Sequence, residues 1–207
     1  MAGNAENADA GTDHLGCIMI KFYTNKELSQ IFNINLAKWK RWSREFLPPD
    51  PLGGLQSGFA RQYNLDEAFS VYLGGQLVGN LKLTIPEARK MLNDLHQWLV
   101  DHDFYFDFSG TADPRKKTAH QVQNYQIAII SPHNSADRDL RLNYQIKAVV
   151  TSDSVRYQGA TMQRECFIET SISPPDNESS LMNAACYRML NISALRRKFL
   201  GYFDSEY

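Results

Sequence analysis

Basic side chains crowd one short stretch of the sequence. Lys38, Lys40, Arg41 and Arg44 fall within seven consecutive positions and are followed by one acid, Glu45. Lysine and arginine bind phosphate oxygens, and arginine also donates two hydrogen bonds to the major-groove edge of guanine. On a helix, Lys38 and Arg41 would face outward near the start as candidate base contacts, whereas Lys40 and Arg44, one turn apart, are candidate phosphate contacts. The cluster therefore predicts a surface that binds double-stranded DNA.

The overall charge of the chain neither requires nor excludes such a partner. The 207 residues carry a formal net charge of −1, so the protein as a whole is not a polycation. Positive charge is nevertheless local, because residues 18–99 contain ten basic and seven acidic residues, whereas residues 1–17 contain three acids and no lysine or arginine. The positive potential is therefore expected around the basic cluster. The alternative is that the cluster is only the solvated face of a surface helix.

Capping signals around the cluster predict two short helices joined by a tight turn. Thr24 and Glu27 form a capping box at the start of the first helix. Asn35 can cap the second helix, which must end before Pro48 and Pro49. Because the basic helix follows a capped partner after a tight turn, DNA binding is favoured over a merely solvated face. The side of the second helix that is predicted to be buried holds Leu36, Trp39, Ser43 and Leu47.

Further turn and capping signals extend this helical region. The glycine-rich stretch 51–63 predicts a hairpin. A third helix is expected to start at Asn64 and to end where Gly74 and Gly75 follow, and Thr84 starts a fourth helix with a second capping box. Packing within one molecule and a dimer seam both fit the apolar stripe of the fourth helix. This stripe consists of Ile85, Ala88, Leu92, Leu95 and Leu99.

From residue 103 onward the pattern changes from helices to strands. Strands are predicted at residues 104–108, 122–130, 140–151 and 161–172. Helical spacing returns over residues 181–190, and Ser193 is expected to cap a last helix. The fold class predicted for the chain is therefore α+β, with N-terminal helices followed by a smaller sheet-plus-helix domain.

The remaining reactive side chains show no spacing typical of catalysis or metal binding. Cys17, Cys166 and Cys186 are far apart in the sequence, and the histidines lack ligand spacing. No nucleophile–base pair, metal cluster or cofactor loop is recognisable, so the sequence predicts neither an enzyme nor a bound cofactor. Because there is no signal peptide and no long apolar run, we expect a cytoplasmic protein with no membrane partner.

Four segments resemble, in order, the DNA-binding domain of the MerR family of bacterial transcription regulators. They are residues 23–28 (YTNKEL), 39–49 (WKRWSREFLPP), 58–67 (GFARQYNLDE) and 79–92 (GNLKLTIPEARKML). The resemblance covers about residues 20–95 and implies a winged helix-turn-helix. It also implies that Arg61 and Tyr63, on the wing, clamp the flanking DNA backbone. For Trp42 two roles are open, namely packing against the wing and donation of the indole N–H to a phosphate.

The expected organisation is a disordered leader at residues 1–18, a MerR-like winged helix-turn-helix at 19–102 and an α+β sensory or oligomerisation domain at 103–207. The resemblance implies a sequence-specific transcription regulator whose partners are double-stranded DNA, RNA polymerase, a second copy of the chain and a small-molecule effector. One alternative is an excisionase-like architectural protein that bends DNA. A second is a ligand-binding protein whose helix-turn-helix serves only as an interaction module.

Overall fold

The computed structural model describes residues 21–50, 60–106, 124–130, 142–172 and 187–204, which form five helices and six strands. The helices are α1 (Asn25–Ile31), α2 (Leu36–Phe46), α3 (Leu65–Gly79), α4 (Ile85–Asp101) and α5 (Ile192–Asp204). The strands are β1 (Tyr23–Thr24), β2 (Gln62–Tyr63), β3 (Asn124–Ile130), β4 (Asn143–Tyr157), β5 (Ala160–Ile172) and β6 (Arg188–Asn191). The predicted α+β class is therefore confirmed. The predicted leader and most of the predicted hairpin at 51–63 lie outside the described residues.

The predicted helix starts in the first half are confirmed by the capping bonds. Thr24 Oγ1 accepts a hydrogen bond from the backbone N–H of Glu27 at 3.3 Å, and the Glu27 carboxylate accepts one from the backbone N–H of Thr24 at 2.7 Å. Thr84 makes the same reciprocal pair at the start of α4. Asn35 Oδ1 accepts from two backbone N–H groups in the first turn of α2. Since these groups have no partner within the helix, each cap fixes where its helix begins.

The third helix is longer than the sequence predicts. The expectation that Gly74 and Gly75 end it is wrong, because α3 continues through both glycines to Gly79. A Cβ atom on Gly74 would overlap the ring of Phe46, and one on Gly75 would overlap the indole of Trp42. The two glycines therefore allow α2 and α3 to approach closely, and they do not reverse the chain.

Two antiparallel sheets complete the fold. In the small sheet β1 pairs with β2, so that Tyr23 lies opposite Tyr63. The larger sheet has the strand order β5-β4-β3-β6, and each neighbouring pair is antiparallel. The strands predicted at 122–130, 140–151 and 161–172 are confirmed as β3, β4 and β5, with β4 extending further to Tyr157.

The predicted strand at residues 104–108 is wrong over its described part, residues 104–106. After α4 the chain turns back, and the backbone N–H of Phe104 donates to the carbonyl of Leu99 at 2.9 Å. The ring of Phe104 is buried and lies 5.4 Å from the ring centre of Trp98. The alternating aromatic residues therefore fill the core from a turn, which a period-two pattern alone cannot distinguish from a strand.

The helical pattern predicted for residues 181–190 is wrong over its described part, residues 187–190, and residues 181–186 lie outside the described residues. Residues 188–190 belong to β6, where Leu190 pairs with Ile127 of β3. The cap of α5 is Asn191, whose Oδ1 accepts from the backbone N–H of Ala194 at 2.8 Å. Ser193, the predicted cap, instead accepts a hydrogen bond from the backbone N–H of Tyr125. The hydroxyl that was expected to start the helix thus connects α5 to the sheet.

One apolar core extends across residue 103. The ring of Phe199 in α5 is fully buried and lies 5.4 Å from the ring of Phe32 and 5.5 Å from that of Tyr72. Ile127 and Ile146 join the same core from the sheet. Among the described residues, no helix combines the length and the apolar character that crossing a bilayer requires.

Candidate nucleic-acid interface

The buried side of α2 fixes the orientation of its basic residues. Trp39 is fully buried, and its ring lies 5.4 Å from that of Phe32 and 6.1 Å from that of Tyr63. Trp42 is only 5% exposed, with its indole against Gly75. The predicted buried side is therefore partly wrong, since Leu36 is 37% exposed and Trp42 takes its place. Packing against α3, a helix distant in sequence, decides this rotation of α2.

The opposite side of α2 presents the basic cluster to solvent. Lys38, Lys40, Arg41 and Arg44 are all exposed. Among the residues that the structure describes, none of the four forms an ion pair with an acid. Lys40 and Arg44 lie on the side towards β2, whereas the Lys38 ammonium lies 4.8 Å from the ring centre of Trp42 on the other side. Arg41 lies between them on the solvent-facing side.

The acid on this helix is paired with a cation of another helix. The carboxylate of Glu45 pairs with the guanidinium of Arg89 in α4, and Arg89 Nε also donates to the Glu45 carbonyl at 2.9 Å. This contact fastens the end of α2 to α4. It also neutralises the charge of Glu45, so this acid does not reduce the positive potential of the exposed face.

A groove of about 590 Å³ runs beside the basic face, between the start of α1, the side of α2 and the residue before β2. Its charged and polar lining includes Lys40, Arg44, Arg61 and Asn25, together with one acid, Asp50. The remaining lining residues are Ala37, Ser43, Leu47, Pro48, Pro49 and Tyr63. The excess of cations suits an anionic group such as a phosphate.

Arg61 supports the wall of this groove from inside the protein. Its guanidinium donates to the carbonyl of Pro48 at 2.8 Å and to the carboxylate of Glu67 at 3.0 Å, and only 13% of its side chain is exposed. These two bonds connect the segment after α2 to the start of α3. The geometry therefore assigns Arg61 a positioning role, which differs from the direct backbone contact implied by the resemblance.

Tyr63 likewise acts inside the protein. Its side chain is 1% exposed, and its hydroxyl lies 2.6 Å from Ser43 Oγ in α2 and donates to Asn25 Oδ1 at 2.6 Å. Burial raises the pKa of the Tyr63 phenol above its ordinary value of 10.0. The phenol therefore remains protonated at neutral pH and joins α1, α2 and β2 through one chain of hydrogen bonds. A direct phosphate contact by Tyr63 would require this chain to break.

Asn25 is a candidate site residue that the sequence analysis missed. It lines the groove, and Tyr63 occupies its amide oxygen, which leaves its amide NH₂ as a donor. The signal in the sequence was its position directly after the capping residue Thr24. Its proximity to α2 depends on the pairing of β1 with β2, which short-range patterns do not reveal.

The structure thus brings together most of the residues predicted to form the site, but with divided roles. Lys40 and Arg44 line the groove directly, and Arg61 and Tyr63 brace it. Trp42 is part of the core. No cluster of three or more metal-ligating side chains occurs in the described part of the chain. Comparison with protein-family models, with curated proteins and with solved structures returns no match.

Proposed function

We propose that this protein is a sequence-specific DNA-binding transcription regulator that uses α2 as its recognition helix. The observation that carries the proposal is the exposed face of Lys40, Arg41 and Arg44, which form no ion pairs among the described residues and lie on a helix anchored by two buried tryptophans. Basic side chains without ion-pair partners, carried on a helix that is already rigid, bind a polyanion with little loss of backbone conformational entropy. A helix has the diameter that the major groove of B-form DNA accepts.

The roles within this face follow from position. Arg41 is central and can reach base edges, where a bidentate contact to guanine contributes about 1–3 kcal/mol of discrimination. Lys40 and Arg44, beside the groove, are suited to one strand's phosphates, with the amide of Asn25 as a further donor. Lys38 lies on the other flank near Trp42 and remains a candidate base contact at the start of the helix.

The proposal includes the MerR-like winged helix-turn-helix, in which α1 and α2 are the two helices and the β1–β2 pair is the base of the wing. The capped helices, the short connection between them and the β1–β2 pairing support this assignment. The region after residue 103 would then carry an effector site or a dimer contact, and RNA polymerase would be the partner through which transcription changes. We propose no catalytic activity.

Binding to random and selected duplexes over a salt series tests the proposal. The wild type should prefer a selected sequence, and its affinity should fall with a slope of about −0.9 per phosphate contact, or about −3 for three contacts. The double variant Arg41→Ala/Arg44→Ala should lose most specific affinity and show a shallower salt slope. Lys82→Ala/Lys198→Ala is the matched control, because it removes two exposed lysines that lie outside α2.

The outcomes separate this function from its alternatives. Absence of affinity in the wild type, or equal affinity in the Arg41→Ala/Arg44→Ala variant, contradicts the proposal and favours an interaction module of another kind. Specific binding with strong bending in a circular-permutation assay, and no effect on transcription in vitro, favours an architectural protein. Specific binding that changes transcription supports a regulator.

A further inference from the structure

The β4–β5 hairpin extends well beyond the strand that supports it. β3 pairs with β4 only from Asn143 to Val149, whereas the β4–β5 ladder continues to the pair Tyr157–Ala160. Residues 150–167 therefore form a two-stranded ribbon, here called the arm. Eight residues of each strand reach about 25 Å. Because an isolated two-stranded hairpin is only marginally stable in water, an arm of this length gains from a partner surface.

The two faces of the arm differ in character. In the observed register, Val155 pairs with Met162 and Tyr157 with Ala160, on the face that also carries Ile168. This apolar face continues into the side of the sheet that packs in the core through Tyr144 and Ile146. The opposite face of β5 carries Thr161, Gln163, Glu165, Phe167 and Glu169, with the ammonium of Lys147 positioned 4.3 Å from the Phe167 ring centre.

The apolar face of the arm is exposed to solvent, although it carries large apolar side chains of the kind that usually lie in a protein core. Ile168 is 62% exposed, Tyr157 59% and Met162 51%. Single exposed apolar residues are common, but several on one face of a projecting ribbon are typical of a docking surface.

The charges of the arm indicate which partner this surface fits. The arm carries Asp153, Arg156, Arg164 and Glu165 and so has no net charge, which disfavours nucleic acid and anionic membranes. One ion pair lies on the apolar face, where Arg164 Nε donates to Asp153 at 3.0 Å. This pair is the middle of five rungs on that face, which runs from the Ala148–Ile168 rung to the Tyr157–Ala160 rung.

A central pair of opposite charges makes the face complementary to itself. When two such faces pack about a two-fold axis that lies between them and runs along the strands, each arginine meets an acid of the other copy. The rung of Val155 and Met162 then lies over the same rung of the other copy, so that Val155 meets Met162. Self-complementarity of this kind is the requirement for an isologous two-fold interface.

We infer that the apolar face of the arm is a self-association surface, which packs against the same face of a second copy of this chain with Asp153 and Arg164 at the centre. The inference stands on the arm alone and does not depend on DNA binding. A dimer formed through the arms would also carry two copies of α2.

Sedimentation velocity of the full chain over a concentration series tests this inference. The wild type should be a dimer at about 100 µM, in the range expected for a weak, small interface. Met162→Glu/Ile168→Glu should raise the dimer dissociation constant at least about tenfold, because it places acids in the apolar face. Thr161→Glu/Gln163→Glu is the matched control, since it adds the same charge to the opposite face of the same strand. Circular dichroism verifies that each variant is folded.

A charge-complementation experiment distinguishes the interface from a structural role of the ion pair. Arg164→Asp alone and Asp153→Arg alone should each be mainly monomeric, because like charges meet at the centre. An equimolar mixture of the two single variants should form heterodimers. A purely intramolecular ion pair cannot produce this recovery.

Three results would overturn the inference: a wild type that is monomeric at about 100 µM, an unchanged dissociation constant in Met162→Glu/Ile168→Glu, or a mixture that fails to associate. A monomeric wild type that co-sediments with phosphatidylcholine vesicles would assign the face to a lipid surface. DNA binding is measured separately on a duplex with a single site at concentrations where the chain is monomeric. Failure of one proposal is therefore not failure of the other.

Discussion

Tyr63 shows how one buried side chain can hold together the elements around the candidate interface. Its hydroxyl lies between Ser43 of α2 and Asn25 of α1, and its backbone pairs with Tyr23. Three segments separated in the sequence are thereby held at one place. The same contacts bury the phenol, so the residue that lines the groove also determines the position of the groove walls.

Tyr63→Phe removes this hydroxyl and leaves the ring in place. We expect the free energy of unfolding to fall by about 1–3 kcal/mol, because Ser43 is buried and would lose its partner. Urea denaturation measures this change. Tyr157→Phe, which removes a hydroxyl from an exposed tyrosine at the end of the arm, is the matched control and should have little effect. Equal stability of wild type and Tyr63→Phe would show that the hydrogen-bond chain contributes nothing.

The pH dependence of the same pair of proteins gives a second check of this prediction. Burial raises the pKa of Tyr63 above 10.0, so the folded state retains a proton that the unfolded state loses. The stabilisation from the neutral phenol is fully present below pH 10.0 and decreases as the pH rises above that value. Tyr63→Phe should therefore lose less stability than the wild type between neutral and strongly alkaline pH.

At the residue scale, the sequence was sufficient to predict which basic side chains are exposed. It was not sufficient to predict the internal hydrogen bonds that hold the neighbouring groove in place. Lys38 and Arg41 could be predicted to face outward because an amphipathic helix separates charge from apolar side chains over short distances. The internal roles of Arg61 and Tyr63 depend on Glu67, Pro48 and Asn25, which are brought near by tertiary packing. Long-range contacts of this kind leave no periodic signal in the sequence.

At the scale of elements, the contact between α2 and α3 decides which way the basic face points. Trp42 lies against Gly75 and Phe46 against Gly74, so two large rings of one helix fit two positions without side chains on the other. Caps are determined by residues three apart, and all those predicted in the first half were confirmed. Judged from the neighbouring sequence alone, a glycine pair predicts the end of a helix. Its role in close helix packing becomes evident only from the position of Trp42 on the facing helix.

Gly75→Ala tests this contact with a single added carbon. The methyl group would overlap the Trp42 indole, so we expect the helices to separate and the free energy of unfolding to fall by about 1–3 kcal/mol. Tryptophan fluorescence should shift to longer wavelength as Trp42 gains water, and DNA affinity should decrease with it.

Gly79→Ala is the matched control for this prediction. It makes the same substitution in the same helix, where no atom beyond the adjoining helix backbone and neighbouring residues lies within 4 Å of the added carbon. Because alanine is a better helix former than glycine by about 1 kcal/mol, this variant should be as stable as the wild type or slightly more stable. If both variants lost stability equally, the close contact between Gly75 and Trp42 would not be the specific cause of the loss.

At the scale of the whole molecule, the α+β class could be predicted from the order of helical and strand patterns along the sequence. The packing that joins the N-terminal helices to the C-terminal sheet could not be predicted. α5 connects them, since β6 leads directly into it and its aromatic face enters the N-terminal core. Phe203 lies 5.1 Å from Tyr23, next to the β1–β2 pair. The sequence of the last helix does not reveal what it packs against, because its partners include Phe32, Phe69 and Tyr72, more than a hundred positions earlier.

Phe199→Ala should therefore weaken both halves of the chain together. The ring is fully buried and contacts the rings of Phe32, Phe69 and Tyr72, so its loss should lower the free energy of unfolding by about 3–5 kcal/mol. Hydrogen exchange should accelerate in α2 and in β3 by similar factors, because one core supports both. Phe22→Ala, at an exposed phenylalanine, is the control and should leave both rates unchanged. Acceleration confined to β3 and α5 would mean that the helices around α2 are stable without the rest of the chain, and that the shared core does not couple the sheet to the candidate interface.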